Sequence, residues 1–151
     1  VRIPPSPPMK TTQITVSGAI VFKEYRGKKL FMVVRQSAEG KWEIPKITVR
    51  RGESSVRASL RMISEMAGMN ARILEEAGRA TGVATINGKS IPQKTYYYLL
   101  LHKAGGEILG FADFVWLEYG KALKKLELKR EKDMVRSARV VLKKWEKEKK
   151  S

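Results

Sequence analysis

A segment that has to bend, cap a helix and then run helical, set between two pairs of strand-forming runs, constrains this chain more than any other feature. Upstream, residues 13–23 and 29–35 are β-branched and apolar, with Tyr25-Arg-Gly27-Lys between them as a hairpin connection. Next come Trp42-Glu-Ile-Pro45-Lys46, which opens a loop, and Gly52, which marks a backbone bend. Ser54 or Ser55 can cap a helix that runs to Gly68, a residue suited to stopping it. Further on, strand-forming runs at 71–86 and 91–103 join through Asn87-Gly88, a strong tight-turn signal. Another strand is expected at 108–118, then helical segments at 120–126 and 129–149. The order supports one α/β unit, and no internal repeat of solenoid length is present.

The spacing within the central segment is specific. Glu53, Arg61, Ile63, Glu65, Gly68 and Met69 stand in a register that resembles the Nudix box: Gly, five residues, Glu, seven residues, then Arg-Glu-aliphatic-x-Glu-Glu-x-Gly-aliphatic. The lead-in Gly40-Lys-Trp42-Glu-Ile-Pro45-Lys46 is similar to the family's own. Ile47 stands where the pattern has its first Gly, and Met62 and Met66 stand for two of the helix glutamates. Lys94-Thr-Tyr96-Tyr97-Tyr98 resembles the strand that, in diadenosine tetraphosphate hydrolases of this fold, brings an aromatic ring against a nucleobase. Phe114-Val-Trp116-Leu117 resembles their closing strand. The resemblance covers residues 13–145 and implies a Nudix-type α/β/α sandwich with a mixed sheet. Residues 1–9 then read as a Pro-rich leader or a non-native remnant, and residues 10–151 as a single Nudix-like domain ending in a basic amphipathic helix.

What the resemblance implies about activity turns on the substituted positions. Splitting a nucleoside diphosphate linkage calls for a divalent cation, Mg2+ or Mn2+, and such hard cations want oxygen ligands that a thioether does not supply. Residues three and four apart share a helix face, so Met62, Glu65 and Met66 are expected together where the family presents three glutamates. Glu65 remains as the metal-ligand candidate, and Glu53 with Glu65 as the catalytic candidates of an atypical hydrolase. Arg50 occupies a position where active relatives often carry an acid. Lys46, Arg50 and Arg51 are therefore phosphate-binding candidates, since guanidinium groups grip phosphate bidentately without a cation. The alternative for the neighbouring arginines is pairing at i,i+4, Arg57 with Glu53 and Arg61 with Glu65. The resemblance itself implies that Arg61 braces the loop glutamate aligned with Glu53. Tyr96 and Tyr98 share one side of a strand and are candidates for base binding, although aromatics at strand spacing equally serve a core. His102 has no partner identifiable from sequence.

Composition bounds the rest. With 151 residues and 42% apolar content the chain can bury one core, not two. It has no cysteine, which removes disulfides and thiolate zinc sites and suits a cytoplasmic protein. No apolar run approaches the roughly 18 residues of a membrane span. Lys and Arg number 31 against 15 Asp and Glu, leaving a net charge of +16, so polyanions are the expected partners, nucleic acid before acidic membranes or acidic proteins. In the final helix Met134, Val135, Ala138, Val141, Leu142 and Trp145 recur at helical spacing and should dock on the body. Lys132, Arg136, Arg139, Lys143, Lys147 and Lys150 form a basic stripe, either a solvated face or, through Arg136, Arg139 and Lys143, a nucleic-acid-binding surface. Three functions fit these observations: a binding protein for a nucleotide or RNA phosphate with little or no hydrolysis, a metal-dependent hydrolase of a nucleoside or dinucleoside polyphosphate or a capped RNA end, and a structural ribonucleoprotein component.

Overall fold

The computed structural model describes residues 13–106 and 110–150, with side chains to 149; the proline-rich segment at 1–9 lies outside the described residues. The elements run β1 (Ile14–Tyr25), β2 (Lys28–Arg35), β3 (Lys46–Thr48), α1 (Ser55–Ala67), β4 (Met69–Ile86), β5 (Lys89–Gly105), β6 (Asp113–Glu118), α2 (Tyr119–Lys125) and α3 (Lys129–Lys150). The sheet order is β4-β5-β1-β2-β6, with β3 pairing β1 off that path. β1 runs parallel to β5 and antiparallel to β2 and β3, so the sheet is mixed.

Local chemistry accounts for most of these boundaries. The hairpin turns use Arg26 (φ 52°) with Gly27 (φ 77°), and Asn87 (φ 50°) with Gly88 (φ 78°), the paired left-handed residues that match strand twist in a two-residue hairpin. Ser54 caps α1 through its hydroxyl, which accepts the Arg57 amide at 3.1 Å. Gly68 ends the helix at φ 58°, its N–H turned back to the carbonyls of Ile63 and Ser64.

β1 is central, and its alternating side chains divide the core into two layers. Ile20 and Phe22 meet Phe31, Tyr97 and Leu99 beneath Ala122 of α2 and Val135, Ala138 and Leu142 of α3. Ala19 and Val21 meet Met32, Val34 and Leu100 beneath Met62, Ile63 and Ala67 of α1. Helices on both faces of a mixed sheet make the expected α/β/α sandwich. Two expectations are corrected. Residues 46–48, expected within a loop, form strand β3 along Val16–Gly18 of β1. The strand expected over 108–118 begins only at Asp113, residues 107–109 lying outside the described residues. Gly110 donates to the Met66 carbonyl (2.8 Å) and Ala112 to that of Arg35 (2.9 Å), tying the chain to α1 and β2 before it enters β6.

Candidate functional site

The loop between β3 and α1 is stapled to the helix by one ion pair. Arg61 donates from Nε to Glu53 Oε2 at 2.8 Å and from Nη2 to Oε1 at 3.0 Å. The Arg50 amide adds a bond to Oε1 at 3.0 Å. The Arg61 bonds first, and the Arg50 amide next, hold the Glu53 carboxyl down to about 2, and the same pair raises the Arg61 guanidinium above its ordinary value. Both oxygens of Glu53 are thus occupied by loop-closing donors. The expected Arg57–Glu53 pair does not form; Arg61 takes its place from the next turn of α1.

The face expected to gather Met62, Glu65 and Met66 is split by the sheet. Met62 is fully buried in the apolar layer under α1, and Met66 packs against the same layer. Glu65 faces outward, its side chain 55% exposed and 3.8 Å from Arg61. Periodicity places these residues within one arc of the helix, but the sheet covers only part of that arc. The donor set does not fit a magnesium or manganese centre: among the described residues no three His, Cys, Asp or Glu converge, and the Glu53 oxygens are already engaged by Arg61.

Beside this loop is a cavity of ≈ 660 Å³ that draws together Arg50, Arg51, Ser54, Ser55 and Tyr96, with the start of β1 as its far wall. Among the described residues neither Arg50 nor Arg51 makes a salt bridge, and both are exposed. Tyr96 is half-buried, with the Arg79 guanidinium 4.8 Å and the Lys94 ammonium 5.4 Å from its ring centroid. Arg79 is itself anchored by Glu76 at 2.7 Å, which raises its pKa. Tyr98 sits deeper, in the layer under α1, where its hydroxyl bonds that of Ser55. Of the two tyrosines proposed for base binding, Tyr96 alone lines the cavity.

Lys46 is placed elsewhere. Its ammonium lies 2.5 Å from Glu131 and 2.6 Å from Glu43 and also donates to the Ile44 carbonyl at 3.0 Å. Glu131 is fully buried and accepts as well from the Ile44 amide and the Tyr97 hydroxyl, both at 2.9 Å. Burial, and then the Glu131 charge, push the Tyr97 hydroxyl far above the ordinary tyrosine range. Glu131 was not singled out in the sequence, yet a signal is present: it precedes Val135, Ala138 and Leu142 at helical spacing, an acid in the register of the buried face. His102, unassigned from sequence, bonds the Gly105 carbonyl at 2.8 Å and meets Trp116 edge-on.

The basic stripe is on the opposite layer, and its members differ. Arg136 pairs with Asp133 at 2.7 Å, whereas Arg139 lies 4.3 Å over the Tyr119 ring and lines a second cavity with Lys143.

The architecture, with its helix-capped box loop under a mixed sheet, is the Nudix hydrolase fold. Among solved structures the chain is similar to the Caenorhabditis elegans Ap4A hydrolase in a binary complex, with 21% identity, a TM-score of 0.70, and coverage of 85% of this chain and 97% of that one. It is similar also to the NUDIX domain of Shewanella oneidensis NrtR complexed with ADP ribose, with 17% identity, a TM-score of 0.72, and coverage of 92% and 94%. The MutT protein of Methanosarcina mazei aligns at 19% identity and a TM-score of 0.65 over 83% and 92%. At such identities the likeness is one of fold. No family model matches the sequence, and no curated protein does. Among the described residues no helix is long and apolar enough to cross a membrane.

Proposed function

We propose that this chain is a Nudix-fold binding protein that takes a nucleotide, or the phosphate end of an RNA, into the box-loop cavity with little or no hydrolysis. The observation that carries this reading is the company Arg50 and Arg51 keep: two arginines without salt bridges among the described residues, beside Tyr96, in one cavity of ≈ 660 Å³. Guanidinium groups grip phosphate oxygens bidentately and keep their charge at any physiological pH. Tyr96 is the aromatic contact for a base, with the Arg79 and Lys94 cations over its ring adding positive charge. Glu53 serves the shape of the loop rather than proton transfer, because Arg61 holds it ionised and fully bonded. Lys46, clasped by Glu131 and Glu43, contributes to the position of the loop lead-in.

The test is calorimetry with diadenosine tetraphosphate, ATP and ADP-ribose, in EDTA and again with magnesium or manganese, alongside product analysis. Binding in EDTA, weakened at least about tenfold by Arg50→Gln with Arg51→Gln, supports the proposal; a charge-assisted bond of about 1.5–3 kcal/mol predicts that scale. Efficient metal-dependent turnover would overturn it in favour of a hydrolase using Glu53 and Glu65 with Mg2+ or Mn2+.

A further inference from the structure

We propose that single-stranded nucleic acid docks across the end of the molecule formed by the β1–β2 hairpin and the C-terminal half of α3. This surface is separate from the box-loop cavity, and the inference does not depend on the function proposed for that cavity. Two concavities flank the hairpin. One, of ≈ 790 Å³, includes Tyr25, Lys103, Trp145 and Lys149. The other, of ≈ 440 Å³, includes Lys29, Tyr119, Arg139 and Lys143. Glu146 borders both, and Lys29 clasps it at 2.8 Å, so hairpin and helix form one continuous ridge between the hollows.

Aromatic rings and cations alternate along this surface. Arg26 lies 5.1 Å over Tyr25, Lys149 5.0 Å over Trp145, and Arg139 4.3 Å over Tyr119. Tyr25 is 51% exposed, a large ring left in water at a hairpin tip. The acids here are already paired, Glu146 and Glu24 with Lys29 and Glu118 with Lys28. Lys103, Arg139, Lys143 and Lys149 make no salt bridge among the described residues, so the surface presents net positive charge. Bases stack on aromatic rings and on arginine planes, while the backbone follows a basic groove. A duplex keeps its bases stacked inside and has no use for recessed rings, and a lipid surface is too flat to enter paired hollows. An unpaired strand, with bases in the hollows and phosphates over the ridge, uses both features.

The experiment is fluorescence anisotropy of the full chain with a labelled oligouridylate across a potassium chloride series. Tyr25→Ala changes no charge; it should weaken binding roughly fivefold or more, the scale of one lost base stack, with the salt slope unaltered. Lys103→Gln with Lys143→Gln should weaken binding and flatten the logarithmic salt slope by about 0.7 for each lost phosphate contact. The oligouridylate carries no terminal phosphate, and an excess of ADP-ribose should leave its binding in place, which separates failure here from failure at the box-loop cavity. The proposal is overturned if Tyr25→Ala binds as the parent does, if duplex RNA or phosphatidylserine vesicles bind as tightly as oligouridylate, or if ADP-ribose displaces the oligouridylate.

Discussion

Restoring a glutamate at position 62 should damage the protein before it restores any chemistry. Met62 is fully buried in the apolar layer that it shares with Ile63, Val21 and Met32 under α1. Met62→Glu therefore faces two unfavourable choices at pH 7, an unpaired buried charge or a protonated acid. Protonation is the cheaper: lifting a carboxyl from its ordinary pKa of about 4.3 to above 7 costs about 2.7 units at about 1.36 kcal/mol each, or about 3.7 kcal/mol. An unpartnered buried hydroxyl adds about 1 kcal/mol or more. The expected loss is about 5 kcal/mol, against the roughly 5–15 kcal/mol that holds a small domain together. The sign of the pH dependence follows from a folded-state pKa raised above the unfolded one: the ionisation penalty is absent below about pH 4.3 and grows as pH rises. Between pH 7 and pH 5 the variant should regain about 2.7 kcal/mol. Met62→Gln has the same shape and does not titrate, so the difference between the two variants isolates ionisation from the parent's own titration. Urea unfolding followed by tryptophan fluorescence at both pH values measures it. Equal stability of the two variants at pH 7, or recovery of Met62→Glu alone on adding magnesium, would refute the reasoning and make position 62 an accessible ligand site.

Two further perturbations probe the polar supports of the box. Glu131→Gln leaves Glu43 as the one carboxylate paired with the Lys46 ammonium and should destabilise by about 3 kcal/mol, the low end for breaking a buried ion pair, measured by denaturant unfolding at pH 7. Glu53 should titrate near 2 in carboxyl-detected NMR of the parent and return toward the ordinary range in Arg61→Ala; because its folded pKa is depressed, the clasp contributes stability that is complete above the unfolded carboxyl pKa and fades as pH falls toward 2. An unshifted Glu53 in Arg61→Ala would remove the clasp from the account of the loop.

What could be seen in the sequence was whatever neighbours in the chain decide among themselves. Ser54, Gly68, Arg26-Gly27 and Asn87-Gly88 act within a few residues of themselves, and each marks the boundary expected of it. Strand β3 was hidden because its partner, the Val16–Gly18 stretch, lies far back in the chain. The sheet also decides which part of α1 is covered, so the spacing that groups Met62 with Glu65 says nothing of one being buried and the other exposed. The same limit separates the basic residues, which look alike in sequence and differ only in what long-range contacts do with their charge. Lys46 is spent internally because Glu131 arrives from α3, eighty-five positions on, while Arg50 and Arg51 sit on a loop whose one nearby acid, Glu53, is already claimed by Arg61. Their joint availability to an outside anion is thus a consequence of the Glu53–Arg61 clasp: without it Glu53 would be free to pair with one of them, and the cavity would offer one uncompensated guanidinium instead of two. The fold-preserving part of the box and the proposed binding part are in this way one arrangement, in which a carboxylate positioned to shape the loop is kept from neutralising the arginines the loop displays.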